Sequence, residues 1–478
     1  MIWFRDDLRL DDNPALLAAH ETNAPLVFLY CFDADLHRGL GSASLWWLHH
    51  SLARLGEDLS ARGCRLLIAR GDAETVLPTF AQKIGAQGVF WNRRYHSGAI
   101  DQDSSLKAEL SESGLDVRSF NAHLLYEPWT LKTGSGGPYR VFTPFSRAAR
   151  ASGLPQQPLP CPTKLNGLEG NFGSLELDEL NLLPTDPDWS GGFYDRWTPG
   201  IIGARERLEH FLCENIDSYP DDRNIPGKDA TTGLSPHLRF GEISPREVWH
   251  AAEVAQANRD SVFKFHQELL WREFSYHLLF HYPDLHEANH QPKFDAFPWV
   301  SVTEAKGKEH LRAWQKGRTG YPIVDAGMRE LWHTGWMHNR VRMVVGSFLV
   351  KHLLIDWRNG EEWFWDTLVD ADPASNAASW QWIAGSGADA APYFRVFNPV
   401  LQGEKFDGDG AYTRHWVPEL KAMPKKFLHK PWEAPDDVLR NANVHLGDTY
   451  PRPIVDHKQA RDRALAAFKS LSDAASAA

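Results

Sequence analysis

Short, almost continuous apolar runs alternate with amphipathic stretches through residues 1–130 of this chain. Such runs are typical of strands that are buried on both faces of a parallel sheet. Asn13 followed by Pro14 predicts a capped helix after the first run. This βαβ pattern predicts an α/β domain with a doubly wound parallel sheet, although its first strand lacks the GxGxxG of an ordinary dinucleotide site. The runs are residues 2–4, 25–32, 64–71 and 88–95.

The remainder of the chain divides into a loop-rich part and a helical part. A chain of 478 residues is too long for one compact core, so we expect more than one domain. Residues 131–198 are rich in Pro and Gly and weakly periodic, which predicts a long interdomain linker. Residues 199–478 have helical periodicity, with a capping box in SPRE at 244–247. We therefore expect an all-α C-terminal domain.

The formal net charge of −11 is unevenly distributed. Residues 165–195 hold seven acids and neither Lys nor Arg, so the total is compatible with a basic groove elsewhere. No run of about 18 apolar residues predicts a membrane span, and MIWFRDDLRL at the start does not read as a secretory leader. Four widely spaced cysteines without C-x-x-C argue against disulfides and structural zinc and favour a cytoplasmic protein.

One motif suggests a metal. Residues 286–290 read HEANH, the H-E-x-x-H pattern with which zinc peptidases bind their metal from a continuous helix. Pro283 and Pro292 bracket the motif here, and Asn289 is a poor helix former. We expect a solvated loop between helices and no metal site, and we keep a zinc metallopeptidase as a remote alternative.

Tryptophan is unusually frequent, with 20 residues, ten of them between positions 271 and 382. Core packing explains such a count, and so does ring stacking or electron transfer. By helical spacing Glu268, Trp271 and Arg272 share one face, which fits either a surface ion pair beside a core ring or a polar-aromatic pocket. The stretch DADPASNAASWQW at 370–382 fits a metal loop, a packed turn or the wall of a cofactor site.

Two further patterns are compatible with a bound ligand or with ordinary helix structure. The hydroxyl-rich turn TTGLS at 231–235 suits phosphate oxygens, and it suits an ordinary helix N-cap as well. In GWMHNRVRM at 335–343, the helical spacing places Trp336, Asn339, Arg340 and Met343 on one face. A buried Asn there would need a hydrogen-bond partner in the protein or in a ligand.

Taken together, these motifs resemble the cryptochrome/photolyase flavoproteins over nearly the whole chain, and most closely the bacterial photolyases that repair cyclobutane pyrimidine dimers. The resemblance is carried by FRDDLRLDDNPAL, TTGLSPHLRFGEISPR, ELLWREF, GRTGYPIVDAGMRELWHTGWMHNRVRM, LIDWRNGE and WQWIAGSGADAAPYFRVFNPVLQGEKFD.

The resemblance implies an antenna-type α/β domain at 1–130 and an FAD-binding catalytic domain at 199–478. It implies a monomeric enzyme that uses blue light and reduced FAD to split dimers flipped out of UV-damaged DNA. It also implies an antenna chromophore, with methenyltetrahydrofolate preferred and a deazaflavin as the alternative. A cryptochrome blue-light receptor and a six-four photolyase, both on the same fold, remain alternative functions.

The resemblance also implies roles for individual residues. Lesion-pocket and catalytic positions are Glu268, Trp271, Asn339, Met343, Asn376 and Trp382. FAD-binding positions are Tyr219, Thr231, Thr232, Leu234, Ser235, Arg272, Asp370, Asp372 and again Asn376. The electron chain that photoreduces the flavin is Trp380, Trp357 and Trp299, and DNA contacts are Arg223, Arg340 and Arg395 together with the two pocket rings, Trp271 and Trp382.

Some positions depart from the family pattern. Gly233 replaces an arginine found in one version of the phosphate turn, and Phe265 replaces a tryptophan found in some relatives. Gly98 and Ala99 replace an Asn-Glu pair that holds a folate antenna in some bacterial members, so the identity and site of the antenna stay open. Asn376 favours repair, because plant cryptochromes typically carry Asp at that position.

Overall fold

The structure is a computed structural model that describes residues 1–34, 38–389 and 394–477; for residues 472–477 it describes the backbone only. Residues 390–393 of the WQWIAGSGADAAPYFRVFNP motif therefore lie outside the described residues. The chain divides into two compact units. The first comprises residues 1–217, 232–283 and 369–374, and the second comprises 218–231, 284–368 and 375–478. The domain boundaries at residues 130 and 198 stay a prediction.

A five-stranded, all-parallel sheet lies at the centre of the first unit. Its strand order is β3-β2-β1-β4-β5, so the chain reverses its winding direction after β3. This is the predicted doubly wound sheet. Trp3 on β1 is in register with Leu29 on β2 and Trp91 on β4, which places the most apolar strand in the middle. The strands are β1 Ile2–Phe4, β2 Phe28–Phe32, β3 Leu66–Arg70, β4 Gly88–Asn92 and β5 Asp116–Phe120.

The edge strand β5 was not predicted. Three residues of its sequence, DVRSF, are polar, and none of its five residues is fully buried. An edge strand has a sheet neighbour on one side only, so it does not need the continuous apolar run by which the other strands are recognised.

The helices of the first unit cover the sheet and continue into its helical part. Asn13 caps α1 by accepting from the Leu16 amide, as its sequence predicts. The helices are α1 Pro14–Glu21, α2 Ser42–Ser60, α3 Ala73–Ile84, α4 Ser97–Glu112, α5 Phe142–Ala151, α6 Gly191–Arg196, α7 Ile201–His210, α9 Ser235–Arg239, α10 Pro245–Val254 and α11 Arg259–His281, with a π turn at Phe211–Asn215 and a 3₁₀ turn at Leu177–Leu180.

The segment 131–198, predicted as a linker, contains α5 and α6. Helix α5 buries Phe142, Phe145 and Ala149. Phe142 stacks on Trp271 of α11, with ring centroids 3.7 Å apart and an interplanar angle of 8°. The apolar face of α5 is only ten residues long and lies in a Pro- and Gly-rich surrounding, which masks its periodicity in the sequence.

The regular elements of the second unit are all helices within its described residues. Ring packing dominates its interior, where Trp314 and Trp380 meet edge to face at 6.2 Å. None of the helices in the described part of the chain is long and apolar enough to cross a membrane. The helices are α8 Tyr219–Asp222, α12 Ala305–Gln315, α13 Pro322–Thr334, α14 Asn339–Ser347, α15 Trp357–Thr367, α16 Ser375–Ala384, α17 Pro399–Phe406, α18 Ala411–Trp416, α19 Lys425–Leu428, α20 Asp436–Asn441 and α21 His457–Ala477, with a π turn at Phe348–His352 and 3₁₀ turns at Pro292–Ala296, Pro418–Leu420 and Pro431–Glu433.

Candidate functional site

In the first unit, Arg272 and Asp372 belong to one buried polar network. The Tyr276 hydroxyl donates to Asp372 Oδ2 at 2.6 Å and lies 2.7 Å from His123 Nε2. Arg272 donates to that same nitrogen at 2.6 Å and to the His123 carbonyl at 2.8 Å. Burial and the Arg272 guanidinium hold the pKa of His123 well below its usual range, so the imidazole is neutral and accepts.

A second guanidinium holds the backbone of the segment 369–374. Arg239 donates to the Ala371 carbonyl at 2.8 Å and pairs with Asp6 at 3.0 Å. Asp370 and Asp372 flank that carbonyl and are themselves buried. No group of three His, Cys, Asp or Glu suited to a metal occurs among the described residues, so the structure gives no support to a metal loop in the stretch 370–382.

The hydroxyl turn before α9 contains a glycine that the structure explains. Gly233 has φ +61°, a left-handed conformation that favours glycine. A Cβ at that position would lie 2.6 Å from Nη1 of Arg207. Arg207 on α7 thus brings its guanidinium against the hydroxyl turn. Thr232 Oγ1 accepts from the Leu234 amide at 3.2 Å, which shapes the turn, and Ser235 begins α9.

On α11, the choice between a surface ion pair beside a core ring and a polar-aromatic pocket stays a prediction. Glu268 and Trp271 are both half-buried. Glu268 pairs with Lys264 one turn earlier at 3.6 Å. Because Phe142 covers one face of the Trp271 ring, only the other face can stack on a ligand.

Glu273, next to Arg272 on α11, escaped the sequence analysis. Its Oε2 accepts from the Leu125 and Tyr126 amides at 2.9 and 3.1 Å. Burial raises the pKa of this carboxyl to about 7. In ELLWREF, Glu273 lies on a helix face whose other residues are apolar. That position could have identified it as a buried acid.

In the second unit, Asn376 is oriented by Glu361. The amide nitrogen of Asn376 donates to Oε1 of Glu361 at 2.8 Å and to its carbonyl oxygen at 3.0 Å. Both residues are buried. A carboxylate only accepts, so the NH₂ group must face Glu361 and the Oδ1 of Asn376 is the atom presented to a ligand. Nothing in the sequence pattern linked Glu361 to this position.

In the second unit, two predicted DNA-binding arginines lie close enough to the third, Arg340, to repel its charge. Burial, and then the positive charges of Arg223 and Arg395, lower the pKa of Arg340. Arg340 donates to Asn224 Oδ1 at 2.6 Å and to the Met343 sulfur at 3.5 Å. These contacts hold the Arg340 guanidinium on α14, where the charges of Arg223 and Arg395 act on it.

The remaining predicted residues of this unit are placed individually. Tyr219 is buried beneath the Arg223 guanidinium, at 5.2 Å from ring centre to Cζ. Thr231 is half-buried, and Met343 is half-buried with its sulfur on Arg340. Asn339 begins α14 and is exposed, so it is a surface residue rather than a core one.

The predicted electron-chain residues differ in exposure. Trp380 and Trp357 are buried, whereas Trp299 is half-buried beside Phe297, at a ring distance of 4.3 Å. Trp380 packs against Gly360, where a Cβ would come within 2.2 Å of its ring. Trp382, the predicted second pocket ring, is half-buried near the end of α16.

The HEANH segment lies in turns between α11 and the 3₁₀ helix at 292–296, so the prediction of a loop is confirmed. The prediction that this loop is solvated is wrong for part of it. Gln381 donates to the Leu285 and Ala288 carbonyls at 2.7 and 2.8 Å and accepts from the His290 amide at 2.8 Å. The fully buried Gln381 side chain therefore fastens the loop, and Asn289 is buried with it.

Within each unit, the predicted site residues thus form separate local groups rather than a single cluster. Arg272 and Asp372 are brought together in the first unit, and Arg223, Arg340 and Arg395 in the second. Each unit offers its own donor chemistry: in the first, hydroxyls and a guanidinium at Gly233 suit phosphate oxygens, and in the second, the fixed amide oxygen of Asn376 suits an N–H donor. Fold and donor set define a protein with an α/β unit and a helical unit suited to a flavin.

Comparison with known proteins agrees with that class. Residues 1–163 match the family model of DNA photolyase, and residues 265–470 match the model of the FAD binding domain of DNA photolyase. A deoxyribodipyrimidine photo-lyase of Agrobacterium fabrum is 54% identical over 473 residues, covering 98% of each chain. Cryptochrome-1 of Arabidopsis thaliana is 38% identical over 484 residues, covering 98% of this chain and 70% of its own.

Solved structures give the same result. The crystal structure of a bacterial class III photolyase from Agrobacterium tumefaciens superposes with a TM-score of 0.95 at 53% identity, covering 99% of this chain and 97% of that one. The chain belongs to the cryptochrome/photolyase family. The matched FAD-binding model confirms FAD as its cofactor.

Proposed function

We propose that this protein repairs cyclobutane pyrimidine dimers in UV-damaged DNA with blue light. Reduced FAD, when bound, supplies the electron that splits the dimer. The observation that carries the proposal is the fixed amide of Asn376, whose NH₂ group is held by Glu361. An amide accepts a hydrogen bond from a flavin N–H but, unlike a carboxylic acid, has no proton to deliver, which favours electron transfer to a substrate over protonation of the ring.

The lesion is gripped by stacking in this proposal. Trp271 offers one ring face, since Phe142 covers the other, and Trp382 supplies the second ring. Stacking contributes about 1–3 kcal/mol per base. A dimer pairs and stacks poorly within the duplex, so flipping it out costs less than flipping a normal pair.

Glu268 is the proposed partner of the lesion's bases. Its ion pair with Lys264 at 3.6 Å is loose and half-exposed, so it competes weakly with a substrate hydrogen bond. Asn339 and Met343 complete the proposed pocket from α14. The exposure of Asn339 suits contact with a substrate that arrives from solvent.

The DNA backbone is bound by Arg223, Arg340 and Arg395 in this proposal. Burial, followed by the charges of Arg223 and Arg395, lowers the pKa of Arg340, and approaching phosphates would offset the repulsion that Arg340 experiences. This local positive charge accounts for DNA binding by a chain with a net charge of −11.

The cofactor is held by the remaining predicted residues. Thr232 and Ser235 of the hydroxyl turn, with Thr231, Leu234 and Tyr219, are the proposed contacts of the phosphates and ribityl chain. Arg272, Asp370 and Asp372 add charge and hydrogen bonds, and their positions are fixed by Tyr276, His123 and Arg239. Trp380, Trp357 and Trp299 form the proposed path by which electrons reach the flavin from the surface.

The antenna is proposed to be methenyltetrahydrofolate, with a deazaflavin as the other outcome of analysis. In doubly wound sheets a ligand commonly binds at the switch point, here the carboxyl ends of β1 and β4. This chain fills that point itself: Arg5 pairs with Asp103, and Asn92 donates to Asp7 at 2.6 Å. A ligand there would have to displace this network, so we place the antenna elsewhere. Extraction of the purified protein and spectroscopy of the released chromophores identifies it.

We further propose that the protein acts as a monomer in the cytoplasm. The four cysteines are free thiols, which suits a reducing compartment. Light scattering of the purified protein measures its mass against the 54.2 kDa of one chain.

A repair assay tests the proposal. Reduced protein is mixed with an oligonucleotide that carries one thymine dimer, illuminated with blue light and compared with a dark control. We expect the dimer to disappear only in the light, and Glu268→Gln to lower the repair yield while Glu253→Gln, on the surface of α10, leaves it unchanged. No repair by the fully reduced holoprotein would overturn the proposal, and repair of a six-four lesion instead would reassign the pocket.

A further inference from the structure

The indole N–H of Trp357 is hydrogen-bonded to a residue of the HEANH loop. Trp357 Nε1 donates to Asn289 Oδ1 at 2.9 Å, and Asn289 Nδ2 donates in turn to Asp295 Oδ1 at 2.7 Å. Trp357 is fully buried and Asn289 is 7% exposed, whereas Asp295 is exposed. A carboxylate is therefore linked to the tryptophan, but an amide separates the two.

This arrangement is fixed from two directions. The Asp295 carboxylate accepts only, so the Asn289 amide must turn its NH₂ group to Asp295 and its oxygen to Trp357. The side chain of Gln381, which follows Trp380 directly on α16, donates hydrogen bonds to two backbone carbonyls of the loop. The same helix therefore carries Trp380 and the side chain that positions the hydrogen-bond acceptor of Trp357.

The acceptor of the Trp357 N–H decides whether an oxidised indole keeps its proton. When Trp357 passes one electron to oxidised Trp380, its ring becomes a radical cation and its N–H becomes acidic. An acceptor that is also a base would take the proton and leave a neutral radical, which is a weaker oxidant. An amide oxygen stabilises the charged, protonated form and does not take its proton.

We propose that Asn289 is a positioning residue that acts on the electron chain through Trp357. Its amide oxygen keeps the proton on oxidised Trp357, so that Trp357 stays a strong enough oxidant to take an electron from Trp299. This inference rests on the proposed electron path. One electron then passes from Trp299 to Trp357, which returns to its neutral, protonated form. Trp299, half-exposed, releases its N–H proton to water, and it is restored when a dissolved thiol supplies one electron and one proton and itself becomes a thiyl radical.

Two substitutions separate the proton acceptor from the packing. Asn289→Asp is isosteric and places a base on the Trp357 N–H, whereas Asn289→Ala removes the acceptor without adding a base. Flash photolysis of the oxidised holoprotein follows the tryptophan radicals, because the radical cation and the neutral radical absorb at different visible wavelengths. We expect Asn289→Asp to form the neutral radical early and to lower the yield of long-lived charge separation at least tenfold.

The alanine variant and a dark measurement complete the test. We expect Asn289→Ala to keep the radical cation and to lose less than threefold in yield, while a purely structural role would lower both variants alike. In the dark, the ¹⁵N-edited spectrum of the indole groups should show the Trp357 proton, assigned with Trp357→Phe, shifting upfield in Asn289→Ala. Asn441→Asp makes the same chemical change at an exposed position of α20, and as the control it should leave the radical spectrum and the yield as in wild type.

The outcomes distinguish this inference from the proposed electron path. If Trp357→Phe abolishes photoreduction while both Asn289 variants behave as wild type, the path stands and the role of Asn289 is rejected. If Trp357→Phe photoreduces as well as wild type, the path itself is wrong and the inference falls with it. An unshifted Trp357 proton in Asn289→Ala would also reject the inference.

Discussion

The amide nitrogen of Asn376 lies 2.8 Å from Oε1 of Glu361 and 3.0 Å from its carbonyl oxygen, so a buried carboxylate sets which way the amide faces. Glu361 therefore acts on the proposed flavin site through another residue. Its neighbour Glu362 is exposed on the same helix.

Glu361→Gln should loosen this orientation, because a glutamine side chain offers a donor as well as an acceptor. We expect the repair yield to fall several-fold and the reduction potential of the bound flavin to shift, with FAD still retained. Spectroelectrochemical titration of the holoprotein measures the potential. Glu362→Gln is the matched control, and an unchanged potential in Glu361→Gln would reject the positioning role.

Gly233→Ala should destabilise the protein by about 1–2 kcal/mol, because φ is +61° there and the new Cβ would press on Arg207. Retention of FAD should fall as well, since the turn shapes the proposed phosphate contacts. Gly56→Ala, within α2 and with no atom near the added Cβ, should stabilise by roughly 0.5–1 kcal/mol. Thermal melts of both variants with bound FAD quantified check the opposite signs.

Gly360→Ala should displace Trp380, because the added Cβ would come within 2.2 Å of the indole ring. Overpacking of this kind costs about 1–3 kcal/mol. Gly346 also faces Trp380, but its added Cβ would lie at 3.5 Å, an ordinary contact distance. We expect Gly346→Ala to photoreduce normally and Gly360→Ala to photoreduce slowly, as measured by the rate of flavin bleaching under blue light with a thiol.

Glu273 should make stability fall with rising pH. Its carboxyl titrates near 4.5 in the unfolded chain and at about 7 in the folded one, so the folded state binds the proton more tightly. Between pH 4.5 and 7 the Glu273 carboxyl is ionised in the unfolded chain but still protonated in the folded one. The free energy of unfolding therefore decreases as pH rises through this range, by up to about 3 kcal/mol in total. Glu273→Gln should flatten this slope in urea titrations at pH 5 and 7.5, and Glu206→Gln, exposed on α7, should leave it as in wild type.

Arg340→Ala should weaken binding of dimer-containing DNA and reduce the slope of log affinity against log salt by about one. The reason is that one positive charge of a mutually repelling group is removed. Arg118→Ala, an exposed pair with Asp116 on β5, is the control and should leave the slope unchanged. Fluorescence anisotropy over a range of salt concentrations measures both.

Several features of this protein followed from local sequence alone. Four of the five strands are apolar runs, because a strand buried on both faces must be apolar along its whole length. The family was recognisable from ordered motifs such as WQWIAGSG, since they combine helix faces with unusual polar and aromatic residues. The fold class and FAD therefore required no coordinates.

Other features depend on residues far apart in the chain, and only the tertiary structure decided them. Helix α5 is stabilised by its contact with α11 rather than by its own periodicity, and Arg207 supplies beside Gly233 the guanidinium that the turn lacks. Asn289 stands 68 positions from Trp357, yet the two are hydrogen-bonded. Hydrogen bonds and close packing act over a few ångströms whatever the sequence separation, so partners of this kind leave no spacing pattern along the chain.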